Sequence, residues 1–172
     1  MRLSSVEFSG LAYRIHAADK DALDTAASKE FGGRWNRAKK YAALYVSLTK
    51  EIAQAEHTSQ LLKRGLTPGD LSDRWITTIR MHLTQVLDLT DPGRQKEFGL
   101  TKSELESDQD ACRKKILEVS EKARAQGYEA ILSPSARFPN GKNLNIFPDK
   151  LSKKSSLKII KSERFKSKPV GS

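Results

Sequence analysis

Apolar and polar positions alternate most cleanly between Tyr41 and Leu48, where Ala42, Leu44, Val46 and Leu48 interleave with Tyr41, Ala43, Tyr45 and Ser47. This is the period of a half-buried strand, so the aliphatic face belongs in a core and Tyr45 and Ser47 point the other way, toward a cleft. Thr49 supplies an N-cap for a helix over residues 50–64, which carries Lys63 and Arg64 in its last turn and stops at Gly65. Within it Ile52, Ala55, Ser59 and Leu62 share one arc, and Glu56 falls inside that arc. A carboxylate is thereby placed on an inward face.

The remaining signals are shorter. Residues 12–16 read as a strand, and residues 17–40 as a polar segment with a short helix around Asp21 to Lys29. Runs at 75–83 and 85–89 read as two strands, followed by a turn at Asp91-Pro92-Gly93. Residues 94–126 look helical in two or three pieces, the last over 110–126 with Ile116, Val119 and Ala123 as its stripe and Gly127 as its stop. Strands are expected at 129–133 and 143–147, flanking a loop at 134–142, and again at 157–160.

Composition narrows the class. A chain of 172 residues is of single-domain size, and 37% hydrophobic with 30% charged residues lies within the folded range. Cys112 is the only cysteine, which excludes an internal disulfide framework and fits a reducing compartment. Glu7, Ser9 and Gly10 interrupt the apolar residues near the start, so no signal core is expected, and no apolar run is long enough to span a bilayer. A soluble, cytoplasmic protein without membrane contact is the expectation.

The net charge of +10 calls for nucleic acid, an acidic protein or a phosphate-bearing small molecule. Much of the excess lies in Arg37, Lys39 and Lys40 and in the tail from Lys153 to Lys168, with few aromatic residues between, as in a solvated end rather than a reader of bases.

The candidate chemistry gathers around Gly32-Gly33-Arg34-Trp35-Asn36, preceded by Tyr13-Arg14 and followed by Tyr45 and Glu56. Guanidinium groups hold anions through planar, permanent donors, and glycine lets a backbone approach a ligand closely. A reaction that develops positive charge needs a carboxylate nearby. Each residue also has an ordinary reading: the arginines as surface residues, Tyr45 as core, Glu56 as an ion pair, Ser135 and Asn143 as turn residues. His16, His57 and His82 show no ligand spacing, so no metal site is expected.

Taken together, the spacing of Arg14, Arg34, Tyr45 and Glu56, the Pro134-Ser135-Ala136-Arg137 loop after Ala130-Ile131-Leu132, and the strand from Asn143 to Phe147 resemble the RES domain family. Its best known members are NAD-consuming toxins of toxin-antitoxin pairs. The resemblance implies an α/β (α+β) domain like the ADP-ribosyltransferase fold, with a split, mostly antiparallel sheet and flanking helices. A catalytic unit over residues 1–150 would be followed by a basic segment over 151–172, made of a last strand and a flexible tail. NAD would be the substrate, with no permanently bound cofactor. Arg34, Tyr45, Glu56 and Ser135 would be catalytic, and Arg14, Tyr13, Gly33, Trp35, Asn36 and Asn143 would bind substrate. Ser133 is the alternative to Ser135 if the loop is displaced by two residues.

That resemblance implies cleavage of the nicotinamide–ribose bond by water or phosphate, restrained by a separate antitoxin through which any nucleic-acid contact would pass. A homodimer is compatible with it. ADP-ribosyl transfer to a protein, a basic nucleic-acid-binding module and an inactive antitoxin-binding scaffold are the alternatives. The sequence departs from the family after Asn36, where Arg37-Ala38-Lys39-Lys40 stands in place of proline and glycine, and residues 65–127 match poorly.

Overall fold

The period-two runs become strands that close on themselves in the computed structural model, which describes residues 4–67 and 73–166. Strand β1 (Val6–Ala17) pairs antiparallel with β3 (Arg74–Asp88) along nearly its whole length, from Val6 opposite Val86 to Ala17 opposite Arg74, with a bulge between Val6 and Phe8. The other edge of β3 carries β6 (Ser156–Phe165), antiparallel, and then β4 (Ala130–Pro134), parallel. From β4 the sheet runs on through β5 (Lys142–Ile146) and β2 (Leu44–Ser47) back to β1. One residue pair, Tyr13 opposite Ser47, joins β2 to β1. The mostly antiparallel sheet is therefore one closed ring with β6 as a flap, and the expected split survives only as this narrow seam.

Closure divides the apolar residues into two cores. Inside the ring lie Ala12, Leu44, Val46, Ile79, Met81, Leu83, Leu144 and Ile146. Outside it, helix α5 (Asp110–Ala125) lays the expected stripe of Ile116, Val119 and Ala123 against Leu87, Ile131 and Phe147. Strand β2 is thus covered on both faces. Tyr41 and Ala43 join the outer core with the half-buried ring of Tyr45, instead of facing an open cleft. Helix α2 (Lys50–Lys63) starts where expected, with Thr49 Oγ1 accepting from Ile52 N–H at 3.2 Å, and packs against β1 and β2.

Three local expectations change, each for a visible reason. The runs at 75–83 and 85–89 are a single strand, because the N–H groups of Thr84 and Gln85 donate to the buried carboxylate of Glu129 at 2.6 and 3.3 Å where β3 exchanges β6 for β4 as its neighbour. Burial acts to raise the Glu129 pKa, but hydrogen bonds from Ser155 and from the Ser152, Thr84 and Gln85 amides outweigh it and hold the carboxyl below its ordinary range. Asp91-Pro92-Gly93 opens a helix, α3 (Pro92–Glu97), with Asp91 Oδ1 accepting from Gly93 N–H and proline in the first turn, where its missing donor costs nothing. The helix near 21–29 begins later, as α1 (Ala26–Phe31), since Asp21 and Asp24 fold the preceding stretch into turns by accepting from Leu23 and Ala26 N–H. A short helix, α4 (Lys102–Leu105), with a Thr101/Glu104 capping box, precedes α5.

The pairing of Ile79 with Ile159 offers a matched test, because the first is 0% and the second 40% exposed. Ile79→Ala is expected to lower the unfolding free energy by about 2–5 kcal/mol and Ile159→Ala by less than about 1 kcal/mol. Denaturant unfolding of both variants checks this, and equal losses would contradict a dry core inside the ring.

Candidate active site

Adjacent positions across the seam share a face of the sheet, so the register that pairs Tyr13 with Ser47 and Ser47 with Asn143 places these three side chains together. Helix α2 passes over the same face and brings Glu56 to them. Asn143 Nδ2 donates to Glu56 Oε1 at 2.8 Å, and Asn143 Oδ1 accepts from Ser47 Oγ at 2.8 Å. A carboxylate only accepts, which fixes the amide with its NH2 toward Glu56. From the loop after β4, Ser135 Oγ donates to the same Glu56 Oε1 at 2.6 Å, while accepting from the backbone N–H groups of Arg137 and Phe138 at 3.1 and 3.2 Å. Ser133 instead accepts from Asn145, away from Glu56. Glu56 Oε1 is therefore held by two neutral donors.

The glycine-arginine loop is built by buried polar contacts. Asn36, 1% exposed, donates to the carbonyls of Ser28 and Tyr41 at 2.8 and 3.0 Å and accepts from Tyr45 Oη at 2.7 Å. Trp35 N–H donates to Tyr45 Oη at 2.8 Å, and the indole lies in the outer core. Burial pushes the Tyr45 phenol up, despite hydrogen bonds that favour its ionised form. A Cβ at Gly33 would stand 2.6 Å from this hydroxyl, so glycine is required by the tyrosine as much as by any ligand. Trp35, Asn36 and the Tyr45 hydroxyl thus hold the loop in shape. At Lys39, in the departing stretch, φ is 65°, a left-handed conformation that glycine adopts without cost.

What the loop presents is Arg34. Its guanidinium donates to Leu105 O and to Asp108 Oδ1, the latter at 3.4 Å. Asp108 also receives Lys63 Nζ at 3.0 Å and a hydrogen bond from Arg137. Burial acts to raise the Asp108 pKa, but these bonds outweigh it and bring the carboxyl down to about 2. Its ion pairs are therefore complete above the ordinary aspartate pKa and fade only as pH falls toward about 2. Burial lowers the Arg34 pKa, opposed by Asp108 and, through space, by Glu56; Arg113 and Arg137 add to the lowering. Arg34 is thus electrostatically in touch with Glu56.

Arg14 is placed differently. It follows Tyr13, so alternation points it to the opposite face, the one that carries Ala12 into the inner core. There it donates to the carbonyls of Ala22 and Asp24 at 2.6 and 2.8 Å and pins the segment after β1. The structure brings Tyr13, Glu56, Ser135 and Asn143 together with Arg34 at their border, and sets Arg14 on the other side of the strand. Among the described residues no group of His, Cys, Asp and Glu is arranged to hold a metal ion, and no helix is long and apolar enough to cross a membrane.

The RES domain model matches residues 11–166. The chain belongs to the RES domain family. Over 106 residues, which are 60% of this chain and 57% of the relative, it is 27% identical to the NAD(+) phosphorylase MbcT of Mycobacterium bovis and of Mycobacterium tuberculosis. Over 115 residues, 67% of this chain and 53% of the relative, it is 29% identical to the probable NAD(+) phosphorylase Rv3189 of Mycobacterium tuberculosis. The matched stretch spans little more than half the length of these curated relatives. The fold matches a chain of the crystal structure of the M. tuberculosis MbcT-MbcA toxin-antitoxin complex with a TM-score of 0.81 at 23% identity, over 95% of this chain and 87% of that one.

Within this RES domain, Ser47, Lys63, Asp108 and Arg137 are site neighbours that sequence reading did not select. Ser47 was signalled by sharing the outward phase of Tyr45, and Arg137 by its place in the serine loop. Lys63 and Asp108 carry no local signal. The buried loop yields a direct test: Asn36→Ala strands two carbonyls and the Tyr45 hydroxyl, and is expected to cost about 2–4 kcal/mol of stability. Urea unfolding measures it, and a loss below about 1 kcal/mol would show that the RES loop does not depend on this side chain.

Proposed function

We propose that this RES domain binds NAD and cleaves its nicotinamide–ribose bond, with inorganic phosphate as acceptor and a separate antitoxin protein as its restraint. The observation that carries the reading is the Glu56 carboxylate, held on Oε1 by Ser135 and Asn143, with the Arg34 guanidinium within reach of its field. Family membership and the relatives' names as NAD(+) phosphorylases support it. The toxin-antitoxin complex that shares the fold is consistent with a partner chain.

The chemistry asks little of acid catalysis. Nicotinamide leaves as a neutral molecule, and the ribose carbon passes through a state with oxocarbenium character, so the protein must bind the phosphates, orient the sugar and place negative charge beside the developing cation. Glu56 supplies that charge. Ser135 and Asn143 position it, and Ser47 positions Asn143. Tyr13 forms the wall beside Ser47, and the half-buried ring of Tyr45 lies behind the loop. Arg34 faces the phosphates, whereas Arg14 acts indirectly by ordering the segment that follows β1. The basic residues of the Arg37 loop pair locally, Arg37 with Glu121 and Lys39 with Glu30, which leaves less free charge for nucleic acid than the composition implies.

Purified protein is expected to release nicotinamide from NAD and to form a phosphorylated ADP-ribose when phosphate is present. Liquid chromatography of the products, with and without phosphate, checks this; no nicotinamide at high enzyme concentration in either condition overturns the reading. Glu56→Gln keeps a carbonyl oxygen to accept from Ser135 and Asn143, so the melting temperature should hold while turnover drops by about 100- to 1000-fold. Wild-type turnover in the folded variant would remove Glu56 from the chemistry. Arg34→Lys is expected to cost about 1–3 kcal/mol in kcat/KM, since an ammonium cannot reproduce the guanidinium fork, and an unchanged kcat/KM would place Arg34 outside the site.

A further inference from the structure

Three cations from distant parts of the chain converge on one carboxylate. Lys63, at the end of α2, lies 3.0 Å from Asp108 Oδ2, Arg137 from the serine loop donates to the same oxygen, and Arg34 from the glycine loop reaches Oδ1 at 3.4 Å. The two arginines form the fixed part, whereas the Lys63 side chain is 48% exposed. Arg34 is anchored on Leu105 O, and the backbone of Arg137 is tied through Ser135 to Glu56. Their side chains are 20% and 24% exposed, against 35% for Asp108, which sits in the linker between α4 and α5. With Asp108 displaced, Lys63, Arg34 and Arg137 outnumber Glu56 by two positive charges, which a phosphate dianion balances.

We propose that Lys63, Arg34 and Arg137 form a phosphate-oxyanion subsite beside Glu56, which Asp108 occupies as an internal stand-in until a phosphate group displaces it. This deepens the NAD-cleavage reading and rests on it for the ligand class. A carboxylate and a phosphate present the same pair of oxygens to a guanidinium, so one cationic wall accepts either. Inorganic phosphate and the pyrophosphate of a dinucleotide share this chemistry.

Calorimetric titration at constant ionic strength, with inorganic phosphate alone and with ADP-ribose alone, separates the two sources and requires no turnover. Asp108→Asn removes the competing charge and is expected to tighten binding of at least one probe by about tenfold, whereas Lys63→Gln combined with Arg137→Gln is expected to weaken it by about tenfold or more. A response confined to phosphate marks an acceptor pocket, and one confined to ADP-ribose marks the dinucleotide's pyrophosphate; either supports the subsite. Affinities for both probes that are unchanged or weaker in folded Asp108→Asn overturn it. If that variant does not fold, Lys63→Gln alone decides, and wild-type affinity for both probes overturns the proposal. Phosphate binding sensitive to Asp108 in a protein that releases no nicotinamide would uphold the subsite and sink NAD cleavage. Nicotinamide release with affinities indifferent to Asp108 would do the reverse.

Discussion

The long ladder between β1 and β3 constrains everything else, because it bends the sheet into a ring and leaves the β2–β1 junction as the place where the ring barely meets. Inside, side chains fill the space as in a small barrel. Outside, the sheet needs covering, and α5 covers one side while α2 crosses the other. The polar cluster lies where these covers leave the seam, so Tyr13, Ser47 and Asn143 are neighbours by register and Glu56 reaches them from the helix above. The site is a product of ring closure rather than of any one loop.

The two carboxylates of this region are handled in opposite ways. Asp108 is satisfied by cations, which hold its proton affinity far down, whereas Glu56 meets a hydroxyl and an amide. Neutral donors orient the Glu56 carboxylate without pairing it with a cation.

Sequence reading reached the parts of this arrangement that are written locally. The Thr49 cap, the Gly65 and Gly127 stops and the stripe on α5 each follow from a few neighbouring residues and reappear in the structure, whereas the expected inward arc of α2 is turned, with Ile52, Ala53 and Leu61 buried and Leu62 57% exposed. Ser135 and Asn143 were reachable only through likeness to the RES family, since serine beside proline and asparagine after a turn are common everywhere. Other features depend on contacts far apart in sequence. The continuity of β3 depends on Glu129, and the role of Asn36 as a buried staple on Ser28 and Tyr45. The position of Arg14 follows from the ring having an inside. Lys63 and Asp108 meet only because α2 and the α4–α5 linker end near each other, which no periodicity encodes.

Ser135 spends its whole hydrogen-bonding capacity inside the protein. Its proton is directed at Glu56, and its two lone pairs are engaged by the Arg137 and Phe138 amides. Removing this hydroxyl would therefore loosen two things at once, the Glu56 carboxylate on α2 and the turn that shapes the loop after β4.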